Sequence, residues 1–349
     1  MTSRPLRVLI AEDSPTVREL LVHILGSDPG IEVVEAVEDG EKAVAAVARL
    51  QPDVVTMDVH MPGIGGFEAT RRIMTTNPLP ILIVSGTLAD EAVNSFRAVE
   101  AGAVALVRRP PGPADPAHAD AAAELVRMIK LMAEVKVVRR WERRGEKAPR
   151  PPRPARSRTV RIVAVGASTG GPAVLQALFR ELQPRLSVPV LVVQHIAPGF
   201  VAGLAVWLSR STGIAAAIAS DGETALPGRV YFAPDGRHLG IGRNFRIALS
   251  DAPPENGMRP AVSHLFRSVR AAFGADAAGV LMTGMGRDGA RELREMRDAG
   301  AVTIVQDEQT SVVFGMPGSA IELGAAMHVC PADAIATTLD PYLPGRTSP

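Results

Sequence analysis

The chain has 349 residues, 46% of them hydrophobic. Because single hydrophobic cores stop growing at about 250–300 residues, this length predicts two domains. The 38 basic side chains almost balance 37 acidic ones, and the net charge of +1 argues against a protein that coats nucleic acid. The single cysteine, Cys330, excludes an intramolecular disulfide and a cysteine-based zinc site.

No apolar run approaches the roughly 18–20 residues that a membrane-spanning helix needs, and the first residues lack the long apolar region of a signal peptide. We therefore expect a cytoplasmic protein without membrane insertion. The lone cysteine agrees with a reducing compartment.

Up to residue 135, short β-branched apolar runs alternate with helical patterns. The predicted strands are Arg7–Ala11, Ile31–Val37, Val54–Met57, Ile81–Val84 and Val104–Val107. The predicted helices are Pro15–Leu25, Gly40–Leu50, Gly66–Thr75, Asp90–Ala101 and Ala121–Arg140. This alternation indicates a parallel sheet with helices on both faces, and such sheets bind ligands at the carboxyl ends of their strands.

The composition changes between residues 136 and 161, where eleven lysine and arginine side chains stand against two glutamates, a local charge of +9. Four prolines between residues 149 and 154 disfavour a helix there. The pattern predicts a linker over 136–159 between domains at 1–135 and 160–349. A nucleic-acid-binding arm is the alternative, but no interleaved aromatic pattern accompanies the charges, and we expect no direct nucleic-acid partner.

After the linker the same rhythm resumes. The predicted strands are Val160–Val165, Val188–Gln194, Val280–Thr283 and Val302–Gln306, and the predicted helices are Pro172–Leu182 and Ala290–Ala299. The fold class is therefore α/β, with two doubly wound parallel-sheet domains in series.

Polar side chains end the predicted strands of the first domain. Glu12 and Asp13 follow the first strand, and Asp58 follows the third. Carboxylates that crowd one sheet edge repel each other unless a hard cation such as Mg²⁺ lies among them. Ser85 and Arg109 would bring a hydroxyl and a cation to the same edge. One such residue alone is more often an ordinary solvated side chain, but the five together indicate phosphoryl transfer to an aspartate.

These residues lie in motifs that resemble the response-regulator receiver family. The motifs are Ala11–Pro15 (AEDSP), Met57–Pro62 (MDVHMP), Val84–Gly86 (VSG) and Arg109–Pro110. The resemblance implies that Asp58 accepts the phosphoryl group, that Glu12, Asp13 and Asp58 hold Mg²⁺, and that Ser85 contacts the phosphoryl oxygens.

Two positions depart from the receiver pattern. The family usually has lysine where this chain has Arg109, and often an aromatic residue where it has Leu106. A guanidinium keeps the charge but differs from an ammonium in shape and reach. The departures place the contact of Arg109 with the phosphoryl group, and the readout of phosphorylation, in question.

In the second domain, Ser168 lies in a glycine-rich turn between a predicted strand and a predicted helix. Backbone amides at such a helix start are able to hold an oxyanion. The turn also satisfies the G-x-S-x-G pattern of hydrolases, a weak match by itself. A P-loop is disfavoured because Pro172 and Ala173 stand where lysine and serine or threonine are needed, and the G-x-G-x-x-G dinucleotide pattern is absent. A phosphate-binding or purely turn-forming loop stays open.

His195 ends the next predicted strand, and Asp288 lies in the glycine-rich turn after the strand Val280–Thr283. A histidine at a strand end is often only a satisfied core residue, and an aspartate in such a turn often only caps a helix. Ser168, His195 and Asp288 together are better explained by a catalytic role, because a serine nucleophile needs a base and the base needs an orienting carboxylate.

Residues 160–335 resemble the catalytic domain of the chemotaxis protein-glutamate methylesterases, the CheB family. The matching motifs are Gly166–Pro172 (GASTGGP), Val193–His195 (VQH), Pro198–Phe200 (PGF), Val230–Pro234 (VYFAP), Gly236–His238 (GRH), Leu281–Ala290 (LMTGMGRDGA), Gln306–Glu308 (QDE) and Ser311–Pro317 (SVVFGMP). The resemblance implies Ser168 as nucleophile, His195 as general base and acid, and Asp288 as the residue that orients His195. It places backbone donors for the reacting carbonyl at Thr169 and Met285.

This chain departs from the family pattern at two positions. The family has histidine where this chain has Met258, and aspartate where it has Ser263. We expect these positions to shape the cleft and the substrate preference. Otherwise the resemblance implies hydrolysis of glutamate γ-methyl esters on chemoreceptors, with no cofactor for the esterase reaction and a chemotaxis-type histidine kinase as phosphodonor to the receiver domain. In this hypothesis the unphosphorylated receiver covers the Ser168 cleft.

Three alternatives remain open from the sequence. Deamidation of receptor glutamines is the same acyl transfer with ammonia as the leaving group. An adaptor that binds partners without hydrolysis is disfavoured by the complete triad. A transcriptional regulator is disfavoured because the second domain is too long and too rich in strands for a helix-turn-helix domain.

Overall fold

The computed structural model describes residues 4–86, 96–135 and 159–345. The chain divides into two compact units, Met1–Arg144 and Gly145–Pro349. Apart from Thr159, the predicted linker lies outside the described residues, so the predicted domain limits stay predictions. No helix in the described part of the chain is long and apolar enough to cross a membrane.

The first unit is a five-stranded parallel sheet. Its strands are β1 (Leu6–Ala11), β2 (Ile31–Val37), β3 (Val54–Met57), β4 (Ile81–Ser85) and β5 (Ala105–Arg108), in the order β2-β1-β3-β4-β5. Its helices are α1 (Pro15–Gly26), α2 (Gly40–Leu50), α3 (Gly66–Thr76) and α4 (His118–Ala133). The strand order reverses between β1 and β3, and such a reversal opens a ligand crevice at the carboxyl ends of the strands.

Local signals explain where these helices begin. Ser14 caps α1 by accepting a hydrogen bond from the amide of Val17, and Asp39 caps α2 by accepting one at 2.7 Å from the amide of Lys42. Leu9, Val55 and Ile83 are fully buried in one core cluster with residues of α2 and α3. Burying such a side chain stabilises the fold by about 1.5–3 kcal/mol.

One predicted helix of this unit is wrong in its limits. The expected Ala121–Arg140 begins three residues earlier, at His118, where the Asp115 carboxylate accepts a bond from the amide of Ala117, and it ends at Ala133. Residues 136–140 of the predicted helix lie outside the described chain. Of the predicted helix Asp90–Ala101, residues 96–100 are helical and 90–95 lie outside the described chain.

The second unit is built on a seven-stranded parallel sheet in the order β14-β13-β12-β6-β7-β9-β8. Its strands are β6 (Ile162–Ala167), β7 (Val190–Gln194), β8 (Ala215–Ile218), β9 (Arg229–Phe232), β12 (Ala277–Leu281), β13 (Val302–Gln306) and β14 (His328–Cys330). The strand β6 lies at the centre of the sheet. The chain continues from β6 to β7 on one side, and β12, β13 and β14 follow one another on the other side. The crevice of this sheet is therefore expected between β6 and β12.

The helices of this unit are α5 (Gly171–Leu182), α6 (Val201–Thr212), α7 (Val262–Phe273), α8 (Ala290–Asp298), α9 (Met316–Glu322) and α10 (Ile335–Leu339). One sheet face, including Leu191 and Val193, packs with residues of α7, α8 and α9 in a single core cluster. All six residues of β6 are buried, as expected for a central parallel strand covered on both faces.

The predicted α/β class with two parallel-sheet domains is confirmed. The pattern did not predict an antiparallel ribbon of β10 (His238–Ile241) and β11 (Ile247–Ser250), which packs on α7. It also missed β8, β9 and β14. Two predicted strands are shifted along the chain. The strand predicted at Val160–Val165 is observed at Ile162–Ala167, and the one predicted at Val280–Thr283 is observed at Ala277–Leu281. Apolar residues flank the predicted segments, with Ala167 after the first and Ala277 and Ala278 before the second, so hydrophobicity alone does not mark where pairing stops.

Candidate functional site

The three carboxylates of the first unit come together as predicted. Glu12 and Asp13 follow β1, Asp58 follows the neighbouring β3, and a carboxylate oxygen of each lies within 4.8 Å of the others. Glu12 and Asp58 are buried, whereas Asp13 is exposed. They lie where the strand order reverses, the expected position of a ligand.

Ser85 and Arg109 complete this cluster. A guanidinium nitrogen of Arg109 lies 3.1 Å from Oδ1 of Asp58 and 3.4 Å from Oε2 of Glu12. Arginine at this position therefore reaches the aspartate. Ser85 is buried at the end of β4, and its Oγ has no hydrogen-bond partner among the described residues. Leu106, where the receiver family often has an aromatic residue, is half-buried and packs against the core.

Burial dominates the electrostatics of the cluster. Burial, together with the nearby charge of Asp58, raises the pKa of Glu12 to about 7 against the opposing effect of Arg109. Burial likewise raises the pKa of Asp58, which Arg109 again opposes. Three carboxylate ligands, with an Oε2 of Glu12 that accepts no hydrogen bond among the described residues, fit a hard divalent cation, which would relieve this repulsion.

In the second unit, Ser168 lies in the turn between β6 and α5. Its amide donates to the carbonyl of Thr283 at 3.0 Å, which ties the turn after β6 to the turn after β12. Gly170 has a φ of +80°, a conformation that favours glycine. Gly284 lies directly behind the serine, because a Cβ there would approach Cβ of Ser168 to 2.7 Å.

His195 follows β7, the neighbour of β6 on the other side. Its amide donates to the carbonyl of Ala167 at 2.9 Å. The buried side chain of Gln194 donates at 2.8 Å both to the carbonyl of Ser168 and to that of His195, so one amide joins the two turns. The sequence motifs predicted no role for Gln194. Its position at a buried strand end, directly before the predicted base, was the available signal.

Asp288 lies beside His195. Oδ2 of its carboxylate is 3.1 Å from Nε2 of the imidazole, although the ring N–H is not aligned for a hydrogen bond. Nδ1 of His195 is buried and has no partner within the described residues. Ser168, His195 and Asp288 therefore lie on the turns after β6, β7 and β12, respectively, and these three strands are adjacent in the sheet.

The Asp288 carboxylate accepts several hydrogen bonds. Its donors are the amide of Val262 at 2.7 Å, the amide of Ser263 at 3.1 Å and the side-chain amide of Asn256 at 3.2 Å. Burial raises the pKa of this carboxyl, but His195, Ser263 and the Val262 amide outweigh burial and lower the pKa to about 2. The carboxylate is therefore ionised wherever histidine acts as a base.

Thr169 and Met285 flank Ser168 on two loops. Thr169 follows the serine directly, and its carbonyl accepts from the hydroxyl of Thr283 at 2.9 Å. Met285 follows Gly284 and has an exposed side chain. The carbonyl of Gly284 accepts from the amides of Gly315 and Met316, which anchors this loop. The two backbone amides predicted to hold the oxyanion thus belong to loops held by hydrogen bonds.

A small cleft of about 80 Å³ opens beside His195. It is lined by Gln194, His195, Ile196, Val201, Ala233, Asp235, Met258, Arg259 and Pro260. Met258 therefore lies at the cleft, as expected. Ser263 does not: it is 1% exposed and contacts Asp288, so the expectation that it shapes the cleft is wrong. Ser263 lies in the first turn of α7, whose amide groups point at Asp288.

Comparisons with known proteins agree with this arrangement. Residues 163–339 match the CheB methylesterase family, and residues 8–117 match the response regulator receiver domain. The chain belongs to the CheB methylesterase family. A protein-glutamate methylesterase/protein-glutamine glutaminase of Geobacter metallireducens is 52% identical over 338 residues, which cover 95% of this chain and 97% of the relative. One of Syntrophus aciditrophicus is 48% identical over 341 residues, with coverage of 96% and 97%.

The solved structures agree as well. The crystal structure of the Thermotoga maritima CheB methylesterase catalytic domain is 37% identical and covers 52% of this chain and 98% of its own, with a TM-score of 0.50. The predicted family is thus confirmed for both units, and the chain is assigned to the hydrolases. A transcriptional regulator is excluded, because the part after the receiver matches the methylesterase family.

Proposed function

We propose that this chain hydrolyses glutamate γ-methyl esters on methyl-accepting chemoreceptors and deamidates receptor glutamines by the same acyl transfer. The observation that carries the proposal is the placement of Ser168, His195 and Asp288 on the turns after three adjacent strands, with Asp288 3.1 Å from His195. The names of the relatives supply the substrate class.

In the proposed reaction, Oγ of Ser168 bonds to the ester carbonyl carbon while His195 takes its proton. The backbone amides of Thr169 and Met285 hold the oxyanion. Protonated His195 then donates to the departing methoxy oxygen, methanol leaves, and an acyl-serine remains. Water adds to this ester as His195 takes the water proton, and the proton returns to Ser168 as the glutamate is released. With a glutamine substrate, ammonia leaves in place of methanol.

Asp288 serves this reaction through its charge and direction. A carboxylate at ion-pair distance stabilises the imidazolium that forms when His195 takes the serine proton. Because Oδ2 faces Nε2, Nδ1 is the ring nitrogen left to act as the base. The reaction needs no further group, and we propose that the esterase uses no cofactor.

The proposal predicts that Ser168→Ala abolishes ester hydrolysis. Loss of the serine of a triad lowers the rate by about 10⁶-fold, because the acyl-enzyme path is lost. The measurement is methanol release from methylated chemoreceptor membranes, with ammonia release from glutamine-bearing receptors as the second assay. Ser220→Ala, an exposed serine of the same unit, is the matched control and should hydrolyse at the wild-type rate. Receptor binding without release of either product would support a non-hydrolytic adaptor instead.

We further propose that Asp58 accepts a phosphoryl group from a chemotaxis-type histidine kinase and that this regulates the esterase. Glu12, Asp13 and Asp58 would hold Mg²⁺, which neutralises phosphoryl oxygens when it is bound. Ser85 and Arg109 would contact the phosphoryl oxygens. The unpartnered Oγ of Ser85 and the guanidinium 3.1 Å from Asp58 support these roles.

This regulation predicts that a small-molecule phosphodonor with Mg²⁺ raises the esterase rate of the wild-type protein and leaves that of Asp58→Asn unchanged. An amide cannot accept the phosphoryl group, so the variant keeps the basal rate. Asp120→Asn, an exposed aspartate on α4, is the matched control and should respond as the wild type does. Equal rates with and without donor in the wild type, or in full-length protein and a protein that begins at Thr159, would contradict regulation by the receiver.

A further inference from the structure

A tight turn at residues 255–258 lies between the cleft and the Asp288 carboxylate. Glu255 and Met258 exchange both backbone hydrogen bonds, at 3.0 and 2.8 Å. Between them, Asn256 has a φ of +51° and Gly257 a φ of +76°. Asparagine followed by glycine, both with positive φ, is the preferred sequence of a type I′ turn. The turn therefore has one defined backbone conformation, which fixes the origin of the Asn256 side chain.

The Asn256 side-chain amide binds the part of Asp288 that does not face the histidine. Nδ2 lies 3.2 Å from Oδ1 of Asp288 and 3.2 Å from Oγ of Ser263. An ionised carboxylate only accepts hydrogen bonds, so the amide nitrogen and not its oxygen must face it. Of the side chains that contact Asp288 at these distances, Asn256 and His195 hold opposite oxygens.

Ser263 sets the direction of this interaction. Its hydroxyl donates to Oε2 of Glu292 at 2.7 Å and accepts from the amide of Gly289 at 3.0 Å. Because its single proton is directed at Glu292, Oγ is left to accept from Asn256. Glu292 also lies 3.7 Å from a guanidinium nitrogen of Arg267, which in turn binds Glu255. Contacts therefore run from Asp288 through Asn256, Ser263 and Glu292 to Arg267, which binds Glu255 at the start of the same turn.

We propose that Asn256 is a positioning residue of the triad, whose side-chain amide holds Oδ1 of Asp288 so that Oδ2 stays directed at His195. The inference rests on the proposed function, because it assigns a role within the same reaction. Asn256 does not touch the reacting atoms. It acts through Asp288, and Ser263 and Glu292 fix its orientation.

Two variants of Asn256 test the role. Asn256→Gly keeps the positive φ and removes the donor, and Asn256→Asp keeps the turn but replaces the donor by a second carboxylate. A hydrogen bond to a charged group is worth enough to change a rate by about 10- to 100-fold, so we expect kcat to fall at least about 10-fold with KM within about two-fold. Asn244→Gly, which alters an exposed asparagine in another turn of the same unit, is the matched control.

A readout that a merely structural residue would not change is the titration of His195, followed by NMR of the histidine Cε1–H signals in the full-length protein. The signal is assigned by its loss in His195→Gln. Without the Asn256 donor, Oδ2 of Asp288 is no longer held toward His195 and stabilises the protonated imidazole less, so the midpoint of Asn256→Gly moves to lower pH. The added carboxylate of Asn256→Asp opposes this shift, so its midpoint lies above that of Asn256→Gly. The other charged groups near Asp288, namely Glu255, Arg267 and Glu292, are unchanged in all variants.

The inference is overturned if kcat and the His195 midpoint equal those of Asn244→Gly. It is also overturned if kcat falls only in step with a lower thermal unfolding midpoint while the His195 titration is unchanged, since that is loss of fold. Failure of the proposed function is a separate result: wild-type protein would release methanol and ammonia no faster than Ser168→Ala. The NMR titration decides the role of Asn256 in that case too, because it does not depend on turnover.

Discussion

Asp288 caps a helix to which it does not belong. The residue before α7 is Ala261, which has no side chain able to accept a hydrogen bond, and the first amides of the helix, at Val262 and Ser263, bind the Asp288 carboxylate instead. The positive end of the helix dipole favours the ionised form. The same contacts that stabilise α7 therefore keep the carboxylate beside His195 charged and fixed in direction.

Because Asp288 both caps α7 and faces His195, we expect the free energy of unfolding to fall when this carboxylate is protonated. The pKa of Asp288 is about 2 in the folded protein, against 3.8 for an unperturbed group. The lowered pKa contributes about 2 kcal/mol to the free energy of unfolding above pH 4, and this contribution is lost as the pH falls from 4 to 2. Urea unfolding from pH 2 to 6 should show the loss in the wild type and not in Asp288→Asn.

The matched control for this prediction is Asp251→Asn, whose side chain is 74% exposed and pairs with Arg237 at the surface. Exposed ion pairs contribute little, so its unfolding free energy should follow the wild type at every pH. An Asp288→Asn protein whose stability still declines as the wild type does between pH 4 and 2 would contradict the assigned role of this carboxylate.

The loops after β6 and β12 meet because glycine leaves room for them. A Cβ at Gly284 would lie 2.5 Å from Sδ of Met316 and 2.7 Å from Cβ of Ser168. Real side chains do not reach such distances, so either the loop or the serine would have to move. The methionine is flexible and able to yield, but the serine turn is held by the bond from its amide to Thr283.

Gly284→Ala should therefore lower kcat by displacing Ser168. Misplacing a reacting group by about 1 Å costs on the order of 100-fold in rate, so we expect a loss of about 10- to 100-fold in methanol release. Gly345→Ala is the matched control, because no atom lies within 4 Å of the Cβ that it adds. Wild-type activity in Gly284→Ala would show that the loop relaxes away from the serine.

The same architectural rule accounts for the positions of both candidate sites in this protein. In the first unit the strand order reverses between β1 and β3, where the three carboxylates lie. In the second it reverses between β6 and β12, where the turns of Ser168 and Asp288 lie. At such a point the connections leave to opposite sides of the sheet and open a crevice at the strand ends.

Much of the architecture was predictable because its signals are local. Apolar β-branched runs placed the strands from Leu6 to Arg108 within about a residue, and the predicted starts of α1 at Pro15 and of α2 at Gly40 agree with the structure. The short strands β8, β10 and β11 were missed, since four residues are too few to show a clear period, whether all are buried, as in β10, or burial is mixed, as in β8 and β11. Ribbon and edge strands of this kind are defined by their partners.

The sequence alone predicted the residues that we propose to carry the chemistry, because Ser168, His195, Asp288 and the receiver carboxylates each follow a predicted strand, and their motifs predicted the family. Which strand ends are neighbours, and what Gln194 and Asn256 contact, became visible in the folded chain. Those two side chains bind groups that lie 26 and 32 residues away along the chain. Their contacts depend on distances that close only when the sheet is assembled, so the local sequence does not specify the partner of either side chain.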